Sequence, residues 1–416
     1  MTAAAAELTA LLQNFDQNAH RGTDLSLEPT LALLERLDRP QDKFPPIVHV
    51  AGTNGKGSTS AFTRSIAEAV GMRVHMSTSP HLVRINERVR LAGTLIDDDY
   101  LLDCCQRAAK ATEGLVVSYF ELTFAAAALA FSEVVADLLV LEVGLGGRLD
   151  ATNIVEAPAV SVITPVSFDH QAILGKTLGQ IAWKKAGIIK QNCPVVSAAQ
   201  ESDAAGVIAE EAFAKSAPLY FLSQDDIAQV PDNIGLIGAH QRANAALAIK
   251  AMSVFQGHPI NADIIESGTQ NVYWPARMQR LKNGPLTEQL NGKAVWVDGG
   301  HNPHAARALA DILRTFDGET TLILAMLDNK DAAGFLAEFS DLNVNIIACP
   351  NISTKSVFPP GDLKQIAERA GLKAMQKDSF EDALSEAAAS KADRILICGS
   401  LYLAGGALCM NDEAPV

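Results

Sequence analysis

From Ile47 onward the chain alternates short, nearly uniform apolar runs with longer stretches whose apolar positions recur every three or four residues. Ile47-Val48-His49-Val50 is the first such run, and it predicts a strand buried on both faces. In the stretch that follows, Phe62, Ile66, Ala69 and Val70 fall at i, i+4, i+7 and i+8. That is one face of a helix from Ser58 to Val70, which Gly71 stops. The same alternation predicts strands over 138–143, 160–163 and 194–197, and helices over 98–111, 120–134, 178–186 and 241–255. The first 40 residues read as helical, with Asp24 in a cap-like position ahead of Leu27, Leu31 and Leu34. Apolar strands alternating with helical patterns predict a parallel sheet covered by helices.

A second series begins near Lys293. Ala294-Val295-Trp296-Val297 predicts a strand, Pro303 opens a helix through Phe316 in the favoured first-turn position, and strands are expected over 320–326, 345–348 and 394–398. The turn-rich segment Lys282-Asn283-Gly284-Pro285 lies between the two series. A chain of 416 residues exceeds one ordinary core, so two α/β domains are expected, 1–284 and 285–416. No motif repeats between them, and only the general doubly wound plan is expected to be shared.

Charge changes the picture next. A formal net charge of −14 gives no electrostatic reason to expect nucleic acid, because neutralising phosphates needs a basic face. Small anions remain open, since a local cluster of cations can reverse the field inside a cleft. The six cysteines (104, 105, 193, 349, 398 and 409) include no CxxC pair and read as reduced, small apolar residues. Met1 to Ala6 lacks the basic start and long apolar run of a signal peptide, and no stretch approaches the ~20 apolar residues of a membrane span. A cytoplasmic chain without a membrane partner is the expectation.

Chemistry is concentrated in Gly52-Thr53-Asn54-Gly55-Lys56-Gly57-Ser58, between the first predicted strand and the first predicted helix. Strand, glycine-rich turn and helix N-terminus bring several backbone N–H groups to one point, where phosphate oxygens sit favourably. Lys56 supplies a mobile charge for the β/γ-phosphates and Ser58 a hydroxyl for Mg²⁺. The spacing departs from the common phosphate loop: only two residues separate Gly52 from Gly55-Lys56, and Gly57 precedes Ser58. Glu142 ends another apolar run, and a carboxylate there costs heavily unless paired or metal-bound, which makes it a Mg²⁺ ligand candidate on physical grounds. The glycines in Val143-Gly144-Leu145-Gly146-Gly147 do not have dinucleotide-site spacing, so a nicotinamide reading is rejected. No Ser/His/Asp nucleophile arrangement is found.

From about Asp24 to Ser400 the chain resembles the folylpolyglutamate synthase and dihydrofolate synthase family, within the Mur ligase superfamily. The segments that carry the resemblance, in family order, are the phosphate loop, Ser77-Thr78-Ser79-Pro80-His81-Leu82, the run from Leu141 to Asn153, Phe168-Asp169-His170 and Trp183-Lys184-Lys185-Ala186-Gly187-Ile188. Ala239-His240-Gln241-Arg242-Ala243-Asn244, Trp274-Pro275-Ala276-Arg277-Met278-Gln279 and Val297-Asp298-Gly299-Gly300-His301-Asn302-Pro303-His304 follow. The resemblance implies an N-terminal Mur-ligase-type domain with a parallel sheet and a smaller Rossmann-like C-terminal domain. It implies that Gly52 to Ser58, Asn244, Arg277 and Asp298 bind ATP, and that two Mg²⁺ ions are held by Ser58, Ser79, Glu142, His170 and a carbamylated Lys185. Catalytic roles would fall to Lys56, His170 and Lys185. Lys184 replaces an acidic neighbour of the family pattern, so the local charge there differs.

For a dihydropteroate or folate pocket, the resemblance implies Asp24, Leu25, Ser26, Leu27, Tyr119, Phe120, Glu121, Leu122, Leu149, Asp150 and Ala151. On its residues alone, the Ser77–Leu82 segment reads as a polar turn, His170 as structural and Phe120 as core, and an exposed pair is the lesser alternative for Lys184-Lys185. The activity implied is ATP-driven addition of L-glutamate to dihydropteroate and to folates, by a monomer in folate and one-carbon metabolism. Alternatives are a monofunctional member of the family, a Mur-type ligase joining an amino acid to a UDP-sugar precursor, and a phosphate-loop nucleotide switch or binding module.

Overall fold

The computed structural model describes residues 2–16, 26–352 and 356–415. Two sheets organise it. The first contains β1 (Ile47–Ala51), β2 (Val74–Ser77), β3 (Val89–Leu91), β4 (Thr94–Leu95), β5 (Leu138–Glu142), β6 (Val160–Ile163), β7 (Val195–Ser197) and β8 (Leu219–Phe221). Their order is β4-β3-β2-β5-β1-β6-β7-β8. The sheet is mixed rather than wholly parallel, because β2-β3-β4 form an antiparallel edge. Strands of two and three residues leave no periodic trace in the sequence, which is why this edge was not anticipated.

β1 and β5 are buried along their whole length and lie side by side in parallel. Their side chains serve two cores in alternation, as a strand's period of two requires. Leu139 and Leu141 pack with the helices Asp98–Ala111 and Tyr119–Glu133. Leu138 and Val140 face the other way, with Val48, Val50 and the helices Lys56–Ala69 and Ala239–Gln256.

The second sheet contains β9 (Gln279–Arg280), β10 (Ala294–Val297), β11 (Thr320–Leu324), β12 (Val344–Ala348), β13 (Lys373–Gln376) and β14 (Arg394–Cys398), in the order β13-β12-β11-β14-β10-β9. All pairs are parallel except β9 with β10. β9 lies ahead of the 284/285 division that the turn suggested, so this sheet already includes residues 279–280. Leu322, Leu324 and Leu396 feed one core of this lobe, and Ile323, Ile395 and Ile397 the other.

In the first sheet, the chain leaves β1 toward β2 on one side and reaches β6 on the other, with β5 inserted between β2 and β1. Ligands of doubly wound sheets bind beyond the carboxyl ends of strands at such a switch. Among the described residues, no helix is long and apolar enough to cross a membrane.

Candidate functional site

The glycine loop leaves the carboxyl end of β1 and enters the helix Lys56–Ala69, so its N–H groups and the helix N-terminus converge as the sequence predicts. Two glycines are required by close approach. Gly52 has φ +148° and a Cβ there would lie 1.8 Å from Thr164 Oγ1; Gly55 has φ +87° and its Cβ would lie 2.5 Å from Asn244 Oδ1. Thr53 ties the loop to the segment after β6, its hydroxyl donating to Ser167 O and accepting from Ser167 N, both at 3.0 Å. Asn54 turns instead to the second lobe, in reciprocal amide bonds with Asn302 at 3.0 and 3.1 Å.

Lys56 folds back on its own loop, donating to the carbonyls of Gly52 and Thr53 at 3.3 Å each. Ser58 is buried, and its hydroxyl has no hydrogen-bond partner. Glu142 ends β5 beside the loop. Burial pushes its carboxyl up to about 7, against the opposing pull of Lys56 and Arg277 and of a hydrogen bond from the Ser79 backbone. Lys185 lies at the end of the helix Leu178–Ala186 and is 3% exposed, not an exposed lysine, and donates to Gly52 O at 2.6 Å. Burial, with Lys56 nearby, holds its amine well below the ordinary lysine range.

Oxygen donors such as the Ser58 hydroxyl and the Glu142 carboxylate suit Mg²⁺, and an orphaned buried hydroxyl is what a metal ligand looks like before its metal is considered. The amine of Lys185 fits a hard cation only as a carbamate, which supplies oxygens. His170 has φ +49° and is partly exposed, and its Nε2 lies 3.5 Å from Lys330 Nζ of the second lobe. Its pKa is pushed down to about 4, burial being the main cause. Among the described residues no three His, Cys, Asp or Glu side chains gather for a metal; the expected set contributes only Glu142 and His170 of these types.

Two residues from the second lobe complete the site. Arg277 reaches toward Glu142 and Asp298, and its Nη1 donates to Ala276 O at 2.9 Å. Asp298, at the carboxyl end of β10, is buried, and its oxygens accept from Met278 N at 2.8 Å and Gly300 N at 2.6 Å. Asn244 stands over Gly55 and donates to Gln241 Oε1 at 3.0 Å.

Sequence reasoning passed over Asp169, which joins the lobes. It accepts from Lys330 Nζ at 2.7 Å and Asn302 Nδ2 at 3.2 Å, and lies 3.6 Å from His301 Nε2. Both partners of the Lys330 pair are nearly buried, and the hydrogen bond with His301, with His170 and Lys330 beside it, holds the Asp169 carboxyl far below its usual range despite burial. A charged residue directly before a suspected ligand was the available signal.

The expected pterin residues separate. Phe120 lines a small pocket with Thr123, Phe124 and Ala127 from the same helix, together with Ser79 and Glu142. These four fall at i, i+3, i+4 and i+7, a helix face that could have been read from the sequence. A Cβ on Gly144 would approach the Phe120 ring within 2.6 Å. Tyr119 stacks under Arg88, whose guanidinium lies 5.5 Å from the ring centroid.

The other expected pterin residues are engaged elsewhere. Leu122 is fully buried in the core rather than lining a pocket, because it projects from the opposite face of the helix. Glu121 is spent on the helix cap, accepting from Ser118 N at 2.7 Å. Asp150 is turned inward, accepting from Leu145 N and from both Thr152 N and Oγ1. Ala151 packs in the core, Leu149 is half-buried, and Ser26 accepts from Glu28 N ahead of the helix Glu28–Arg36. Leu27 is the residue preceding that helix, and Asp24 and Leu25 lie outside the described residues.

A larger cavity of about 100 Å³ opens between the lobes. It shares Thr78, Ser79 and Glu142 with the Phe120 pocket, so two recesses meet at one carboxylate.

Residues 276–401 match the family model described as Mur ligase, glutamate ligase domain. Folylpolyglutamate synthase of Lacticaseibacillus casei is 31% identical to this chain, with 96% of each covered. An E. coli FolC structure in complex with DHPP and ADP superposes with a TM-score of 0.85 at 28% identity, covering 99% of both chains. A bifunctional folylpolyglutamate synthase/dihydrofolate synthase with Mn, AMPPNP and L-glutamate bound gives 0.82 at 29% identity, covering 98% of both. Phosphate loop, paired lobes and similarity along nearly the whole length agree: the chain belongs to the folylpolyglutamate synthase/dihydrofolate synthase family of Mur-type ligases.

Proposed function

We propose that this protein is an ATP-dependent ligase that adds L-glutamate to 7,8-dihydropteroate and extends folates to polyglutamates. The observation that carries the reading is the buried, unpartnered Ser58 hydroxyl at the head of the phosphate loop, with Glu142 and Lys185 buried beside that loop. In the first step a carboxylate oxygen of the acceptor attacks the γ-phosphorus, the bond to ADP breaks, and an acyl phosphate forms. The amine of L-glutamate then attacks the acyl carbon, phosphate leaves, and the nitrogen gives up a proton to complete the amide. Little covalent help is required of the protein; positioning and charge neutralisation dominate such transfers.

Lys56 moves from its loop carbonyls to the β/γ-phosphates in this scheme. Arg277 and Asp298 hold the nucleotide from the second lobe, and Asn244 braces the loop against it. Ser58, Ser79, Glu142, His170 and Lys185 would hold two Mg²⁺ ions, which supply charge neutralisation along the triphosphate. Burial favours the neutral form of the Lys185 amine, the form that attacks carbon dioxide; forming the N–C bond with loss of a proton gives the carbamate. Mass spectrometry on gently handled protein should find that adduct, and a bare lysine in a substrate complex would remove Lys185 from the set. Phe120 and Phe124 give the pterin an aromatic wall.

Purified protein supplied with ATP, Mg²⁺ and L-glutamate should release ADP with dihydropteroate and with tetrahydrofolate. ADP release that ignores glutamate would point to a nucleotide switch, and turnover only with a UDP-sugar precursor to another Mur-type ligase.

A further inference from the structure

The interdomain cavity has a chemistry that the ATP and pterin readings leave unused. Along the helix Lys56–Ala69, Gly57 and Arg64 both line it, seven residues apart on one face. Arg64 therefore stands two turns, about 10 Å, along the axis from the phosphate loop. Arg90 of β3 lines the same stretch. Arg64 Nε is buried without a hydrogen-bond partner, and the Glu68 carboxylate lies 3.7 Å away, in ion-pair range only. Arg90 donates one bond, to Gly93 O at 2.8 Å. Of the two carboxylates that line the cavity, Glu142 lies by the phosphate loop, and Glu87 is occupied by three backbone N–H groups, those of Leu82, Val83 and Arg84. Two guanidiniums thus share the single Glu68 carboxylate, and burial lowers both below the ordinary arginine range. A surplus buried cation is costly unless an anion joins it.

The cavity runs from these arginines to Ser79 and Glu142, where the acceptor carboxylate is activated in the proposed reaction. The geometry points to Arg64 and Arg90 as a subsite for the α-carboxylates of glutamates already present on the acceptor, a reader of γ-glutamyl tail length. This rests on the ligase reading above. A γ-linked residue has two more backbone bonds than an α-linked one and so spans more than about 3.5 Å when extended. The ~10 Å offset along the helix accordingly lies one to two glutamates upstream of the reacting end. Guanidinium–carboxylate bonds are short, charge-assisted and bidentate, which suits a subsite that must recognise one repeated carboxylate.

The test is KM against tail length, using dihydropteroate and tetrahydrofolates with one, two and three glutamates, for wild type and Arg90→Met, whose side chain keeps the apolar stem. The ratio of variant to wild-type KM should climb with each glutamate, reaching about tenfold at the triglutamate. Arg64→Lys keeps the charge opposite Glu68 and decides the matter if Arg90→Met does not fold: its ratio should climb in the same direction, less steeply. A ratio independent of tail length in the folded variants overturns the subsite and leaves the ligase intact. Wild-type protein that releases no ADP with any pteroate overturns the ligase reading, and the subsite with it.

Discussion

The carboxyl ends of the two sheets differ in how far their buried polar groups are satisfied. At the end of β1 and β5, the Ser58 hydroxyl has no partner, the Glu142 carboxyl is pushed up to about 7 and the Lys185 amine is pushed well down. At the end of β10, Asp298 is buried as well, but each oxygen accepts a backbone N–H of its own lobe. Buried polar groups left unsatisfied cost stability, and native structures keep them mainly where a ligand compensates. The first lobe is therefore the reactive wall. The second is a finished bracket that brings Arg277, Lys330 and Asn302 across to it.

Breaking the reactive wall should have the largest effect. Lys56→Ala is expected to lower kcat for glutamate-dependent ADP release by on the order of 10³-fold. The melting temperature should hold, because Lys56 makes only two long bonds to its own loop. Wild-type turnover would remove the loop from the mechanism.

Loosening the bracket comes next. Asp169→Ala leaves Lys330 nearly buried without its carboxylate, a loss of about 3 kcal/mol from the paired lobes. Denaturant titration should register it and small-angle scattering should give a larger radius of gyration. The pair Asp169→Asn with Lys330→Met should recover most of the loss. An unchanged radius with wild-type stability would place the lobe contact elsewhere.

Beneath the reactive wall, His49 of β1 is fully buried, and its ring bonds to Thr152 Oγ1 at 3.0 Å. Desolvation pushes its pKa down from 6.5 to about 3, so below 6.5 the unfolded chain binds a proton that the folded chain refuses. Stability is then lost as pH falls from 6.5 toward 3, about 2 kcal/mol by pH 5. His49→Gln should flatten that slope in urea titrations at pH 7 and pH 5; an equally steep slope would assign acid lability to other groups. The smallest effect is expected at the pocket wall, where Phe120→Ala should raise KM for dihydropteroate about tenfold with kcat nearly constant. A fall in kcat alone would make the ring a structural prop.

What was readable depended on whether neighbours in the chain remain neighbours in the site. The phosphate loop is contiguous, so its glycines, Lys56 and Ser58 could be assigned together. Glu142 was legible because an acid closing an apolar strand is costly in any fold. Glu121 and Leu122 do not share the pocket face of Phe120 for a local reason, since successive helical residues point about 100° apart and only i+3, i+4 and i+7 share its face.

The sequence by itself determined the two series of strands and helices, the phosphate-binding turn and the buried carboxylate, because periodicity and backbone conformation are local properties. Only the tertiary structure decided that Lys185 is buried against Gly52, that Asp169 pairs with Lys330 across 161 positions, and that Arg64 and Arg90 share one cavity. Burial and pairing over such separations are set by how sheets and helices stack: desolvation lowers the Lys185 amine and both arginines, while the partners gathered around Asp169 hold its carboxyl down against desolvation.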